Sequence, residues 1–238
     1  MSRRLLVLLA IPVAAFAAGT TLTAGAAPAV VTHECKGLRV CVKVAGPWVV
    51  VPAGQSVPRR PVEFQLSCPK GYIVGGLDAE LSDRAIDVFF LGKLGSPVNP
   101  GVTTSGAAVF TATYVGTSAR APSFRPHLGC MPSSGGGRIQ TAVTYPVGSP
   151  TVRHVKTVRV LQGSHQVAAS CAKRERLISA SHALGFFGAK PPEESLVASL
   201  TGGQAVAGGR VTASVQARPL VNLVRAIVQV DAVCARIG

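Results

Sequence analysis

The sequence predicts an all-β protein: two tandem antiparallel β-sandwich-like modules, disulfide-bonded. Three observations lead there. Short runs rich in Val, Ile, Thr and Phe alternate with clusters of Gly, Pro and Ser along most of the chain. The six cysteines fall at matching intervals. Around them the chain repeats itself at an offset of about 104 residues, the kind of self-similarity that marks a repeated fold unit.

The first segment is read as a leader rather than as part of the fold. Arg3 and Arg4 precede an uncharged run, Leu5 to Ala18, that falls short of the ~20 apolar residues a bilayer span takes. Ala24-Gly25-Ala26 then fits the small-x-small cleavage rule, so residues 1–26 are expected to be a secretory signal peptide. The expected organisation is a first β-module at 27–132, a linker or edge strand at 133–150, and a second β-module at 151–238. Pro132-Ser133-Ser134-Gly135-Gly136-Gly137 supplies the break between them. Two packed modules are favoured over two halves of one sandwich.

The strand-like runs are 47–52, 62–67, 72–76, 86–91, 108–115, 139–145, 152–161, 166–170, 175–180, 196–200, 210–216 and 224–234. The last shows the period of two most clearly. Ala226, Val228, Val230, Ala232 and Cys234 share one face, and Ile227, Gln229, Asp231 and Val233 the other. A sheet with one face on a core has this pattern. The best helical candidate, Ala79 to Phe90, is weak.

An even number of cysteines in an exported chain favours disulfides. Cys68 to Cys130 spans 62 positions and Cys171 to Cys234 spans 63. The repeat makes these the natural bridges, one per copy, and leaves Cys35–Cys41 as a local loop. None of these pairs has CxxC spacing, and no Cys/His cluster has the spacing of a metal finger.

Cys68-Pro69-Lys70-Gly71 followed by Val74-Gly75-Gly76 resembles a "CPxG…GG…C" β-repeat of uncharacterised secreted bacterial proteins. The resemblance covers about residues 62 to 130. The second copy keeps its cysteines but carries Arg174 in place of Gly71 and Ile178-Ser179-Ala180 in place of the glycine stretch. The resemblance implies an extracytoplasmic β-module and transfers no activity and no functional residue.

Function is constrained mainly by charge. The chain carries a formal +14, of which Arg3 and Arg4 belong to the leader. Such a balance favours anionic partners: a cell-wall polymer, a membrane surface, an acidic glycan. Arg153, Lys156, Arg159, Lys173, Arg174 and Arg176 form the densest basic region and are the candidate anion-binding residues. No aromatics interleave with them, which speaks against specific nucleic-acid recognition. The acidic cluster Asp78, Glu80, Asp83 and Asp87 misses the EF-hand pattern and reads as a polar loop with Asp83 capping a turn. Trp48, at the start of an apolar strand, reads as core. There is no Gly-x-Ser-x-Gly elbow, HExxH, P-loop or SxxK. No cofactor, no metal and no catalytic residue is expected. The expected function is therefore a secreted, non-enzymatic envelope or extracellular protein that binds anionic polymers or surfaces. The alternatives are a secreted hydrolase whose triad is assembled only in space, and a small-molecule or lipid carrier. The sequence specifies neither the ligand nor the oligomeric state.

Overall fold

The computed structural model describes residues 31–53, 61–91, 106–117, 121–133 and 151–237. The leader at 1–26, the expected strand at 139–145 and all but Ser133 of the 133–150 segment lie outside the described residues. In chain order the elements are β1 (Val42–Ala45), β2 (Trp48–Val50), β3 (Val62–Ser67), β4 (Tyr72–Leu81), β5 (Ile86–Leu91), β6 (Ala107–Tyr114) and β7 (Ser123–Pro132). Then come β8 (Thr151–Val160), β9 (Gly163–Ser170), β10 (Glu175–Phe187), a short helix α1 (Glu194–Ala198), β11 (Leu200–Ala207), β12 (Arg210–Ala217), a 3-10 turn (Pro219–Leu223) and β13 (Arg225–Arg236). The protein is all-β with antiparallel pairing throughout these strands. No helix among the described residues is long and apolar enough to cross a membrane.

Three sheets form. The main one has seven strands. β4 pairs with β7, and β1 and β2 share the opposite edge of β7. β2 joins β10, then β13, then β8 at the far edge. The two smaller sheets run β3-β6-β5 and β11-β12-β9. Register decides which face each covers. Phe124, Val49, Gly185, Ile227 and Arg159 lie in one row across the main sheet and so share a face. Phe124, Leu128, Ala183 and Ile227 pack with Phe64 and Phe110 of the β3-β6-β5 sheet on that face. Val228, Val230 and Cys234 pack with Val167, Val211 and Val215 of the β11-β12-β9 sheet on the other. The central strands are thus covered on both sides.

The second face of β13 is covered as well: Gln229 and Asp231 are buried. Gln229 can be there because its amide is fully used. Its Oε1 accepts from the Gln65 N–H at 2.6 Å, and its Nε2 donates to the Gln65 carbonyl at 3.0 Å and to Thr157 Oγ1 at 3.0 Å. An edge of β3 is tied to the main sheet in this way, since a buried backbone group must find a partner.

The six cysteines pair as Cys35–Cys41, Cys68–Cys130 and Cys171–Cys234, the pairs selected by the spacing. Around each long bridge the same bonds recur. Cys68 N–H donates to the Gly106 carbonyl, Tyr72 N–H to Pro69 and Ser133 N–H to Gly71. Cys171 N–H donates to Gly209, Glu175 N–H to Ala172 and Ile237 N–H to Arg174. β4 bulges against β7 between Val74 and Gly76, and β10 bulges against β13 between Leu177 and Ser179. Gly71 takes φ +85° in its turn, which explains the glycine of the CPxG motif.

Three sequence expectations are corrected. The 196–200 run is half helical: α1 ends at Ala198 and β11 begins at Leu200. Ala79 to Phe90 is the end of β4, a turn and most of β5. β1, β7 and all of β11 beyond Leu200 lie outside the expected runs. β7 carries Pro126 and Gly129, residues that argue against a central strand. Pro126 is accommodated because β1 and β2 break opposite it: Gly46 N–H donates to the Pro126 carbonyl at 2.8 Å, and a Cβ on Gly46 would strike the proline ring.

Candidate functional site

The six candidate basic residues do not form one surface, and the register of β8 shows why. Thr151 lies in the row of Ala235 and Arg176, whereas Arg159 lies in the row of Ile227 and Gly185. Arg159 is thus eight strand residues from the Arg176 end, ~26 Å at about 3.3 Å per residue. Lys156 is exposed on the opposite face from Arg159. Arg153 shares the face of Arg159 but is drawn inward. Its Nη1 meets Glu63 Oε2 at 2.6 Å and also contacts Asp231 Oδ2. A buried aspartate needs a cation, and Arg153 supplies it.

What remains gathers at the Glu175 end of β10. Lys173 and Arg174 are exposed in the turn after Cys171, and Arg176 is exposed at the start of β10. The fold adds two arginines that the sequence reading did not single out. Arg236 lies opposite Glu175 in the β10–β13 ladder, on the other face of the sheet from Arg176, and Arg210 lies opposite Ser170 beside Cys171. Both are exposed. The signal that would have found them is the strand pairing around the second bridge, which local charge density does not reveal. Among the described residues, no ion pair holds any of these five. The nearby carboxylate, Glu175, is occupied: it accepts from the Ala172 N–H at 2.8 Å and meets His154 Nε2 at 2.6 Å. Its pKa is lowered chiefly by the Ala172 N–H, then by His154, against a desolvation effect. The charge of Arg236 lowers it further, so Glu175 stays ionised and offsets part of the charge of this group. His154, Glu175 and Cys234 bring their donor atoms within 4.8 Å of one another, yet Cys234 is already bonded to Cys171 and offers no thiolate.

A second polar centre lies under the N-terminal loop. Glu34 is 2% exposed beneath the Cys35–Cys41 loop. Its Oε1 accepts from Thr32 Oγ1 at 3.2 Å and meets Lys43 Nζ at 3.3 Å, while its Oε2 has no partner among the described residues. Burial, the largest influence, raises its pKa. Hydrogen bonds from its own N–H, Thr32 and Lys43, with the charge of Lys43, outweigh burial and hold the carboxyl below its ordinary range. His127 stands 4.0 Å from Glu34 and 2.7 Å from Glu80, which Arg125 also approaches at 3.8 Å. The floor of this centre is glycine for a reason: a Cβ on Gly76 or Gly129 would fall on the Glu34 carbonyl. The "GG" of the CPxG…GG motif makes room for the disulfide loop.

The other singled-out residues take structural places. Asp83 Oδ1 accepts the Ala85 N–H at 2.8 Å and so caps the β4–β5 turn, while Asp78 accepts the His33 N–H at 2.6 Å. Trp48 is core. A polar groove of about 680 Å³ is lined by Glu63, Ser179, Ser181, His182 and Gln204. There the His182 ring is held by Gln204 at 2.9 Å.

Comparison of the chain with family models, with curated proteins and with solved structures finds no match.

Proposed function

We propose that this chain is an exported, non-enzymatic β protein of the cell envelope or extracellular space that binds anionic polymers. The observation that carries the reading is the cation group at the Cys171–Cys234 end: Lys173, Arg174, Arg176, Arg210 and Arg236, exposed and without ion-pair partners among the described residues. Six of the protein's ten acids are paired within the chain, with Arg153, His127, Arg125, Lys43, His33 and His154. An excess of unpaired cations on one end concentrates polyanions there. Three disulfides suit an oxidising compartment, and the leader at 1–26 supplies the route to it. The recurrence of the bonds and bulge around each long bridge supports reading the chain as two copies of one unit, in keeping with its resemblance to secreted β-repeats.

The test is binding to an acidic polysaccharide over a salt series. The parent should bind, and affinity should fall steeply as salt shortens the ~10 Å screening length at 0.1 M. Lys173→Ser/Arg174→Ser/Arg176→Ser should weaken binding at least tenfold with unchanged thermal stability, since all three side chains are exposed. Equal binding by the triple variant at low salt would reject the assignment.

A further inference from the structure

The opposite end of β10 carries a different surface. Three exposed leucines come together there from two connections. Leu161 follows β8 and is 50% exposed, and Leu220 and Leu223 of the 3-10 turn are 45% and 80% exposed. The two connections are pinned to each other: the Gln162 N–H donates to Asn222 Oδ1 at 3.0 Å, and Asn222 Nδ2 to Gln162 Oε1 at 3.3 Å. Behind Leu220 and Leu223 lies an apolar recess of about 310 Å³, walled by Phe186, Phe187, Pro191 and Leu196. The leucines are therefore held on fixed backbone around a shallow recess.

Cations ring this tip. Arg218 immediately precedes the 3-10 turn and Arg225 opens β13; both are exposed, and the Arg225 guanidinium stacks 4.5 Å above the Phe187 ring. Lys190 lines the recess and is exposed, and Arg159 is exposed on the face that Arg225 shares. Glu193 also lines the recess, but with Glu194 it borders a separate 360 Å³ space beside Ser82 and Asp83. Around the leucines the four cations Arg159, Lys190, Arg218 and Arg225 thus outnumber Glu193.

We infer that this tip docks on an anionic phospholipid bilayer, Leu220 and Leu223 entering the acyl boundary and Arg159, Lys190, Arg218 and Arg225 meeting the headgroups. The charge pattern selects this occupant. Protruding leucines alone suit any apolar partner, but cations spaced around them suit a plane of phosphates lying just above hydrocarbon. A second copy of this chain would bring the same cations against its own. The leucines leave about half or more of their surface in water, and moving that surface to the acyl boundary is favourable in proportion to the apolar area exposed. The tip and the Lys173–Arg176 group sit at opposite ends of β10, ~40 Å apart at about 3.3 Å per residue, so the two sites are separable.

The experiment is co-sedimentation of the purified protein with mixed phosphatidylcholine–phosphatidylglycerol vesicles and with pure phosphatidylcholine vesicles. The parent should pellet with the anionic vesicles and much less with the neutral ones. Leu220→Ser/Leu223→Ser should lower partitioning at least tenfold and leave polysaccharide binding untouched; Lys173→Ser/Arg174→Ser/Arg176→Ser should do the reverse. As a direct readout, Leu223→Trp should show blue-shifted emission, shielded from aqueous quencher, only with the anionic vesicles. Vesicle binding unaffected by the leucine variant, or unchanged emission of Leu223→Trp, overturns the inference. So does absence of vesicle binding together with self-association that Leu220→Ser/Leu223→Ser abolishes, which would give the tip to a second copy.

Discussion

Asp231 is 2% exposed and carries a carboxylate into a sheet covered on both faces. Its Oδ1 has no hydrogen-bond partner among the described residues, so its charge rests on Arg153, which also binds Glu63 of β3. Three elements, β8, β13 and β3, meet at that guanidinium. Removing one member of a buried ionic group leaves the others desolvated and uncompensated, which costs more than the group ever contributed net. Arg153→Ala should therefore lower unfolding free energy in urea by about 3 kcal/mol. Arg153→Met combined with Asp231→Asn should recover much of that loss, because no unpaired charge remains. A loss below about 0.5 kcal/mol, the size of an ordinary surface substitution, would show that Arg153 is a surface cation after all. Residue identity alone could not reveal this: an arginine in an alternating strand reads the same whether its face meets water or another sheet.

At the scale of elements, the Cys35–Cys41 loop is held by a titratable latch. Glu34 has its carboxyl pKa lowered in the folded protein. It therefore favours folding when ionised, and that contribution is complete above the ordinary carboxyl value near 4.3 and is lost as pH falls through the lower folded value. Stability should decline below about pH 4.3 more steeply in the parent than in Glu34→Gln, measured by urea titrations at successive pH. Parallel declines would remove Glu34 from the latch. The legibility of elements follows the same physics. β3, β6 and β12 were readable because β-branched, aromatic and other apolar residues recur along them at strand spacing. The cysteine pairing was readable because two bridges share one spacing. β7 and β11 were not: Pro126 is tolerated only because β1 and β2 break beside it, and Thr201-Gly202-Gly203-Gln204 looks like a turn until β12 pairs with it. The cation group was half legible. Lys173, Arg174 and Arg176 are neighbours in sequence, whereas Arg210 and Arg236 join them only through long-range pairing.

Across the whole molecule, the decisive feature is the short junction between β2 and β10. Only Val49 and Trp48 pair there, with Gly185 and Phe186. Gly185 is required at this point, because a Cβ would strike the Pro47 ring at the closest approach of the two strands. So small a ladder would be a weak hinge if it stood alone. It does not: Val49, Ala183 and Ile227 pack in one apolar cluster with Phe64, Phe110 and Phe124, so the cluster includes residues from both sides of the junction. Gln229 and Arg153 tie β3 to β13 and β8 as well. The described residues from Val31 onward accordingly form one contact unit. Unfolding one side would expose half of that cluster and strand the Gln65 backbone and the Asp231 charge, which couples the two sides thermodynamically. Equilibrium unfolding should then be a single transition by both fluorescence and circular dichroism. Cys68→Ser/Cys130→Ser and Cys171→Ser/Cys234→Ser should each move that one transition, by about 2–5 kcal/mol, rather than split it. Trp48 sits at the junction, so its fluorescence reports the seam while circular dichroism reports all strands. If the two signals separate in either bridge variant, the seam is a domain boundary and the two sides fold independently.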